Sequence, residues 1–176
     1  SLGTTAYAAH QVVMTSESLS FMPGFGFSIA AATLVGQGLG AKDPARSERH
    51  GRIAWGMGAV LMSAMGVVFF AVPQVFMNIF TSEADVVNQG LAPLRLIAIG
   101  QPLLATTMIL SGALRGAGDT RAPFLVTTLG VWLVRLPLAL WLVNNTALGL
   151  VGVWLTMIVD QLVRSLFFIA RFQSGK

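Results

Sequence analysis

The sequence predicts an all-α membrane protein of five transmembrane helices. Composition is the first observation behind this: hydrophobic residues make up 55% and charged residues 10%, against roughly a quarter charged in soluble domains. Charge placement is the second. Eight of the eleven Lys and Arg residues fall in three short segments: Lys42, Arg46, Arg49 and Arg52; Arg115 and Arg121; Arg171 and Lys176. The breaks at 81–86 and 144–148 hold no Lys or Arg, and the first carries Glu83 and Asp85. Basic residues at every second connection follow the positive-inside rule for a chain threaded repeatedly through a bilayer. The Lys/Arg connections and the C-terminus are therefore expected on the cytoplasmic side.

A hydrocarbon core of about 30 Å needs about 20 helical residues. The first span is read over 11–39, with a polar opening (Thr15, Ser16, Glu17, Ser18) and an apolar body from Leu19 to Val35. The second covers 52–80, with Pro73 expected to bend its outer end. The third covers 85–114. Pro93, Arg95, Gln101 and Pro102 lie within it, so its first half is expected to be irregular or kinked, its freed backbone groups met by neighbouring helices or a wet cavity. The fourth covers 122–143, with Pro123 in its first turn and Pro137 inside, and the fifth covers 148–172.

The two basic connections share one device. Gly40-Ala41-Lys42-Asp43-Pro44 and Gly116-Ala117-Gly118-Asp119-Thr120 each place Gly after one helix and Asp before the next. Gly can close a helix in the left-handed conformation, and Asp can accept from the next helix's free N–H groups. Pro44 suits a first helical position, and Asp43 to Gly51 reads as a short surface helix with Arg46, Arg49 and His50 towards headgroups.

Several chemistries are excluded or unsupported. The chain has no cysteine, and its basic residues form no aromatic–basic stripe for nucleic acid. Gly36-Gln37-Gly38-Leu39-Gly40-Ala41 ends a membrane helix, whereas a dinucleotide fingerprint needs a βαβ unit. His10 and His50 have no ligand-spaced partners, so no metal site is expected. No catalytic constellation is visible and no enzyme activity is expected. The many glycines of the first two helices are read as sites of close helix packing, or as flexing points in a transport cycle. The chain opens without Met and reads as part of something longer.

Glu17, Arg135, Asp160 and Arg164 fall within the spans, with Arg95 nearer an outer end. Intramembrane charges are functional-site candidates because each is costly unless paired or hydrated. Asp160 lies near the middle of the fifth span and Arg164 follows four residues on, the favourable order for a pair on one helix face. The pair is read as mutual neutralisation, with a coupling-ion site or a cavity-lining role for Asp160 as alternatives. Glu17 has no base at i±3 or i±4, and its face continues through Ser20, Gly24, Ser28 and Ala31. That small, polar stripe could border a water-filled lumen, or Glu17 could simply be solvated at the outer surface.

Two stretches carry a family resemblance. Pro23-Gly24 with Leu34-Val35-Gly36-Gln37-Gly38-Leu39-Gly40-Ala41 resembles the eighth helix and following loop of the multidrug and toxic compound extrusion (MATE) family. Leu114-Arg115-Gly116-Ala117-Gly118-Asp119-Thr120-Arg121-Ala122-Pro123 resembles its tenth helix and the loop after it. The resemblance covers essentially all 176 residues. It implies the last five of twelve helices, most of one six-helix bundle, in a multi-pass protein of the plasma (cell inner) membrane. It implies a secondary antiporter that expels cationic or amphipathic compounds against an H⁺ or Na⁺ gradient, with no cofactor beyond that ion. Its partners would be lipid, such substrates and a missing N-terminal half.

Some family members carry a cation-binding acid on the tenth helix, and the matching position here is Leu104. A coupling acid in this half would then be Glu17 or Asp160, with Arg135, Arg164 and Gln101 as further cavity candidates; otherwise coupling lies in the N-terminal half. A lipid-linked sugar flippase of the same superfamily is the nearest rival, with Arg95, Arg135 and Arg164 as its only bases for a pyrophosphate. A non-transporting membrane scaffold is the other.

Overall fold

The computed structural model describes residues 3–146 and 149–175. The start of the fifth span at Leu148, the end of the 144–148 break and Lys176 lie outside the described residues. Among the described residues the fold is all-helical, with five helices long and apolar enough to cross a membrane: Thr4–Gly40, Pro44–Ala71, Ala84–Gly116, Arg121–Asn145 and Leu150–Gln173. In chain order the elements are α1 (Gly3–Gly40), α2 (Pro44–Ala71), α3 (Pro73–Phe80), α4 (Ala84–Gly116), α5 (Arg121–Leu129), a π-helical stretch (Gly130–Arg135), α6 (Leu136–Asn145) and α7 (Gly149–Gln173).

Three local expectations change. No separate surface helix follows Asp43, because α2 runs unbroken from Pro44. Asp43 Oδ1 accepts from the backbone N–H of Arg46 at 2.9 Å and Pro44 opens the helix, so helical geometry starts before the apolar stretch does. Pro73 ends a helix instead of bending one: α2 stops at Ala71 and α3 starts on the proline. The third span, in contrast, stays helical through both prolines. Pro102 leaves the carbonyl of Ala98 without its helical donor. That oxygen lies against Gly66 of α2, where an added Cβ would sit 2.6 Å from it. A backbone approach this close lets Cα–H groups stand in for the missing donor.

The turns work much as their residues predict, with one exchange. In the second, Gly118 takes the left-handed conformation (φ +85°) and Asp119 Oδ1 accepts from the Ala122 N–H at 3.0 Å. In the first, the left-handed residue is Lys42 (φ +57°), not Gly40. Asp119 Oδ2 also accepts from Arg171 Nε at 2.9 Å, so the α4–α5 turn and the end of α7 sit together. A cavity bordered by Leu39, Pro44, Asp119 and Arg171 places the α1–α2 turn beside them, at one basic end.

α4 is the central helix and packs on α1, α2 and α7. Its seam with α1 is close. A Cβ on Gly112 would overlap the backbone of Ser28, and one on Gly116 the backbone of Ala32. Without a hydrophobic drive between helices in lipid, such backbone approach and interhelical hydrogen bonds must hold the bundle. Ser28 Oγ donates to the Met108 carbonyl (2.8 Å), Ser47 Oγ to Val35 (2.9 Å) and Trp55 Nε1 to Thr106 Oγ1 (3.0 Å). The stripe Ser20, Gly24, Ser28 and Ala31 is buried in this packing and does not border a lumen. The span made of α5, the π-helical stretch and α6 is peripheral, with Trp132, Leu133, Leu140 and Trp141 exposed, as suits a lipid-facing helix.

Candidate functional site

α1, α4, the α5–π-helical segment and α7 surround a cavity of about 330 Å³. Each helix contributes residues spaced by three or four: Met14, Glu17 and Phe21 from α1; Leu104, Thr107, Met108 and Ser111 from α4; Met157, Gln161, Arg164 and Phe168 from α7. Thr127 and Arg135 close the fourth side. Spacing of this kind puts one stripe of each helix towards a common axis.

Glu17 is only 4% exposed, which excludes a solvated surface acid. Arg135 is half-buried and acts electrostatically on Glu17, Asp160 and His10. Asp160 is fully buried beside the cavity, and its Oδ2 accepts from Arg164 Nη2 at 2.5 Å. Its Oδ1 faces Gly130, where a Cβ would lie 2.6 Å away, with Arg164 Cδ at 3.1 Å. Glycine at the head of the π-helical stretch thus leaves room for the ion pair. Pro137 explains the wide turn, since it cannot donate to the carbonyl of Leu133; the N–H of Leu136 bonds instead to Val131, five residues back.

Of the residues singled out by sequence, the structure brings together Glu17, Arg135 and Arg164 on the cavity wall, with Asp160 directly behind Arg164. Gln101 is elsewhere: fully buried, it packs its Cβ and Cγ against Gly66 of α2 and its amide has no partner among the described residues. Arg95 is also outside, exposed and 5.9 Å from the Phe70 ring centroid in a cation–π contact. Thr107, Ser111, Thr127 and Gln161, together with the methionines and phenylalanines, were not singled out by sequence. The signal for those on α1 and α7 was their helical spacing from Glu17 and Arg164.

The profile of the MatE family matches residues 1–141. This chain belongs to the MatE family. Over 176 residues it is 38% identical to the probable multidrug resistance protein NorM of Thermotoga maritima, covering 99% of this chain and 38% of that protein. It is 34% identical to the multidrug resistance protein NorM of Burkholderia vietnamiensis, covering 87% of this chain and 34% of that one. A crystal structure of MATE in a bent conformation superposes with a TM-score of 0.89 at 17% identity, over 95% of this chain and 37% of its own length. The chain thus spans well under half the length of the relatives it matches. Leu104 gives this cavity an apolar wall, and Glu17 is the one acid in its lining among the described residues.

Proposed function

We propose that this chain is the C-terminal bundle, less its first helix, of a secondary antiporter that exports cationic or amphipathic compounds in exchange for H⁺ or Na⁺. Glu17 is the coupling acid of this half and the attractor for cationic substrate. The observation that carries the reading is a buried carboxylate with no directly bonded base among the described residues, on the wall of a cavity whose remaining lining is amphipathic. Three methionines and two phenylalanines supply adaptable apolar contact, and Thr107, Ser111 and Gln161 supply hydrogen bonds that suit varied ligands. The parent resides in the plasma (cell inner) membrane with its basic end and C-terminus cytoplasmic.

Glu17→Gln in the full-length parent tests this. The change keeps shape and hydrogen bonding but removes titration. Efflux of a fluorescent cation, normalised to membrane protein, should fall at least tenfold while protein levels hold. Glu17→Asp should be milder. Efflux by Glu17→Gln at the parental rate with an unchanged pH profile overturns the reading.

A further inference from the structure

The start of α2 carries an open groove of about 550 Å³, walled by Asp43, Arg46, Arg49, His50 and Ile53. Positions 46, 49, 50 and 53 recur at three or four residues and so share one face of the helix. Ser47, Gly51, Ala54 and Gly58, on the opposite face, are buried in the bundle. The groove therefore opens away from the protein. Beyond Ile53 the same face runs on through Met57 and Val60, and all three side chains are exposed. At 1.5 Å rise per residue, Ile53 to Val60 covers about 10 Å of the roughly 15 Å depth of one leaflet.

The charge of this groove is not neutralised within the protein. Arg46 and Arg49 are exposed, and neither has an acidic side-chain partner among the described residues. The nearby Glu48 pairs with Arg52 instead. Asp43 stands in the wall, but its Oδ1 accepts from the Arg46 N–H as the helix cap. The other basic turn differs: there Arg171 pairs with Asp119, and Arg115 donates to Ser28 Oγ at 3.3 Å, which leaves Arg121 by itself. Two open guanidinium groups one helical turn apart, at the head of a lipid-facing apolar stripe, match a phosphate with a hydrocarbon chain attached. The planar fork of each guanidinium suits phosphate oxygens.

We propose that this groove binds one anionic glycerophospholipid, its phosphate between Arg46 and Arg49 and an acyl chain along Ile53, Met57 and Val60. The two arginines and the Asp43 carboxylate leave one net positive charge, which matches the single charge of a phosphodiester. The ammonium of a zwitterionic headgroup would meet the same arginines and Lys42, so a lipid of net negative charge is favoured. Bound there, the lipid ties the start of α2 to the leaflet. Ser47, on the reverse face, is bonded to the Val35 carbonyl of α1, so both helices are held at one depth. The inference needs neither the coupling role of Glu17 nor the direction of transport.

The test uses the full-length parent in neutral detergent, titrated with phosphatidylglycerol or with phosphatidylcholine of the same chains, the retained lipid being counted by native mass spectrometry. The parent should hold one phosphatidylglycerol about tenfold or more tightly than phosphatidylcholine, and Arg46→Gln with Arg49→Gln should abolish that preference. Ile53→Asn should weaken retention about threefold or more, by loss of the chain contact. Arg121→Gln, on the other basic turn, should leave it within about twofold. If the double variant fails to accumulate, Arg49→Gln alone is judged by the same ratio. A parent without preference between the two lipids overturns the proposal. So does an Arg121→Gln loss as large as that of the double variant, which would mean diffuse attraction of charge. Displacement of the lipid by an equal concentration of inorganic phosphate would reduce the groove to an anion site and overturn it too. Glu17→Gln should retain the lipid as the parent does, so this proposal and the coupling role fail separately.

Discussion

Arg164 is held from one side and open on the other. Its Nη2 donates to Asp160, its aliphatic stem lies along Gly130, and the rest of the side chain faces the cavity beside Glu17. Asp160 therefore holds the Arg164 side chain in place at the cavity wall, and the two charges meet in that ion pair. Removing one partner of a buried pair costs about 3–5 kcal/mol, because the other charge stays buried and alone. Asp160→Asn should accordingly cut the amount of folded protein in the membrane, and the double change with Arg164→Gln should recover much of it. Normal expression of Asp160→Asn with transport abolished would show instead that Asp160 is a coupling site. Gly130 gives an independent check on the same geometry. An alanine methyl would sit 2.6 Å from Asp160 Oδ1 and must displace the pair or the π-helical turn. Gly130→Ala is expected to lower transport more than folded protein, and Gly130→Leu to lose both. Equal transport by Gly130→Ala and the parent would mean that the carboxylate has room to move and that the fit is not needed.

Helices in this bundle are joined where backbones touch. On the α1–α4 seam, a leucine at Gly112 would drive into the Ser28 backbone. Overpacking of this kind costs about 1–3 kcal/mol even where a core can shift, so Gly112→Leu should deplete folded protein, as measured by monodisperse yield in detergent. At the basic end, Asp119 caps α5 and pairs with Arg171. The Ala122 backbone N–H first, and the Arg171 guanidinium with it, hold the Asp119 carboxyl below the usual carboxylate range. A lowered folded-state value means the stabilisation is present above the ordinary carboxylate pKa and is lost as pH falls through the lowered one. Asp119→Asn keeps the cap acceptor and removes the charge, so it should cost roughly 0.3–1 kcal/mol near neutral pH, and melting curves of variant and parent should converge on strong acidification. A gap that stays constant with pH would assign the loss to shape and not charge. The helices themselves were legible, because a bilayer demands long apolar runs and marks their ends with charge. The prolines were legible only in part. Whether Pro73 breaks a helix and Pro102 does not depends on what meets the freed carbonyl, and Gly66 meets Ala98 from a different helix. The π-helical turn before Pro137 and the unbroken start of α2 at Pro44 come from local hydrogen bonds that hydropathy does not register.

One end of the molecule gathers both short turns and the end of α7, and with them Lys42, Arg121 and Arg171. The connection between α3 and α4 together with the first turn of α4 carries Glu83 and Asp85 and no base. Sequence made this asymmetry visible because lysine and arginine placement is read one residue at a time. The cavity was less legible. Glu17, Arg135 and Arg164 stood out as charges inside spans, but Gln101, a polar residue inside a span, and Arg95, a charge nearer an outer end, stood out too and lie outside it. Which way a polar residue on a long helix points is decided by neighbours that a single helix does not contain. The hand of the whole assembly across the bilayer follows from the positive-inside rule and is open to direct labelling. Ser47 is a poor reporter despite its place among the basic residues, since it is buried with its hydroxyl on the Val35 carbonyl. Lys42 and Thr120 are exposed on the two turns, and Ser82 is exposed on the acidic connection. The chain has no native cysteine in its 176 residues, so single cysteines can be read without background from this region. In the full-length protein in intact cells, Lys42→Cys and Thr120→Cys should resist a membrane-impermeant maleimide and react after permeabilisation, whereas Ser82→Cys should react from outside. Labelling of Ser82→Cys and Lys42→Cys from the same side would break the five-span topology. Labelling of Lys42→Cys and Thr120→Cys from outside with Ser82→Cys protected would keep the fold and invert it, placing Glu17 nearer the cytoplasm than the outer surface.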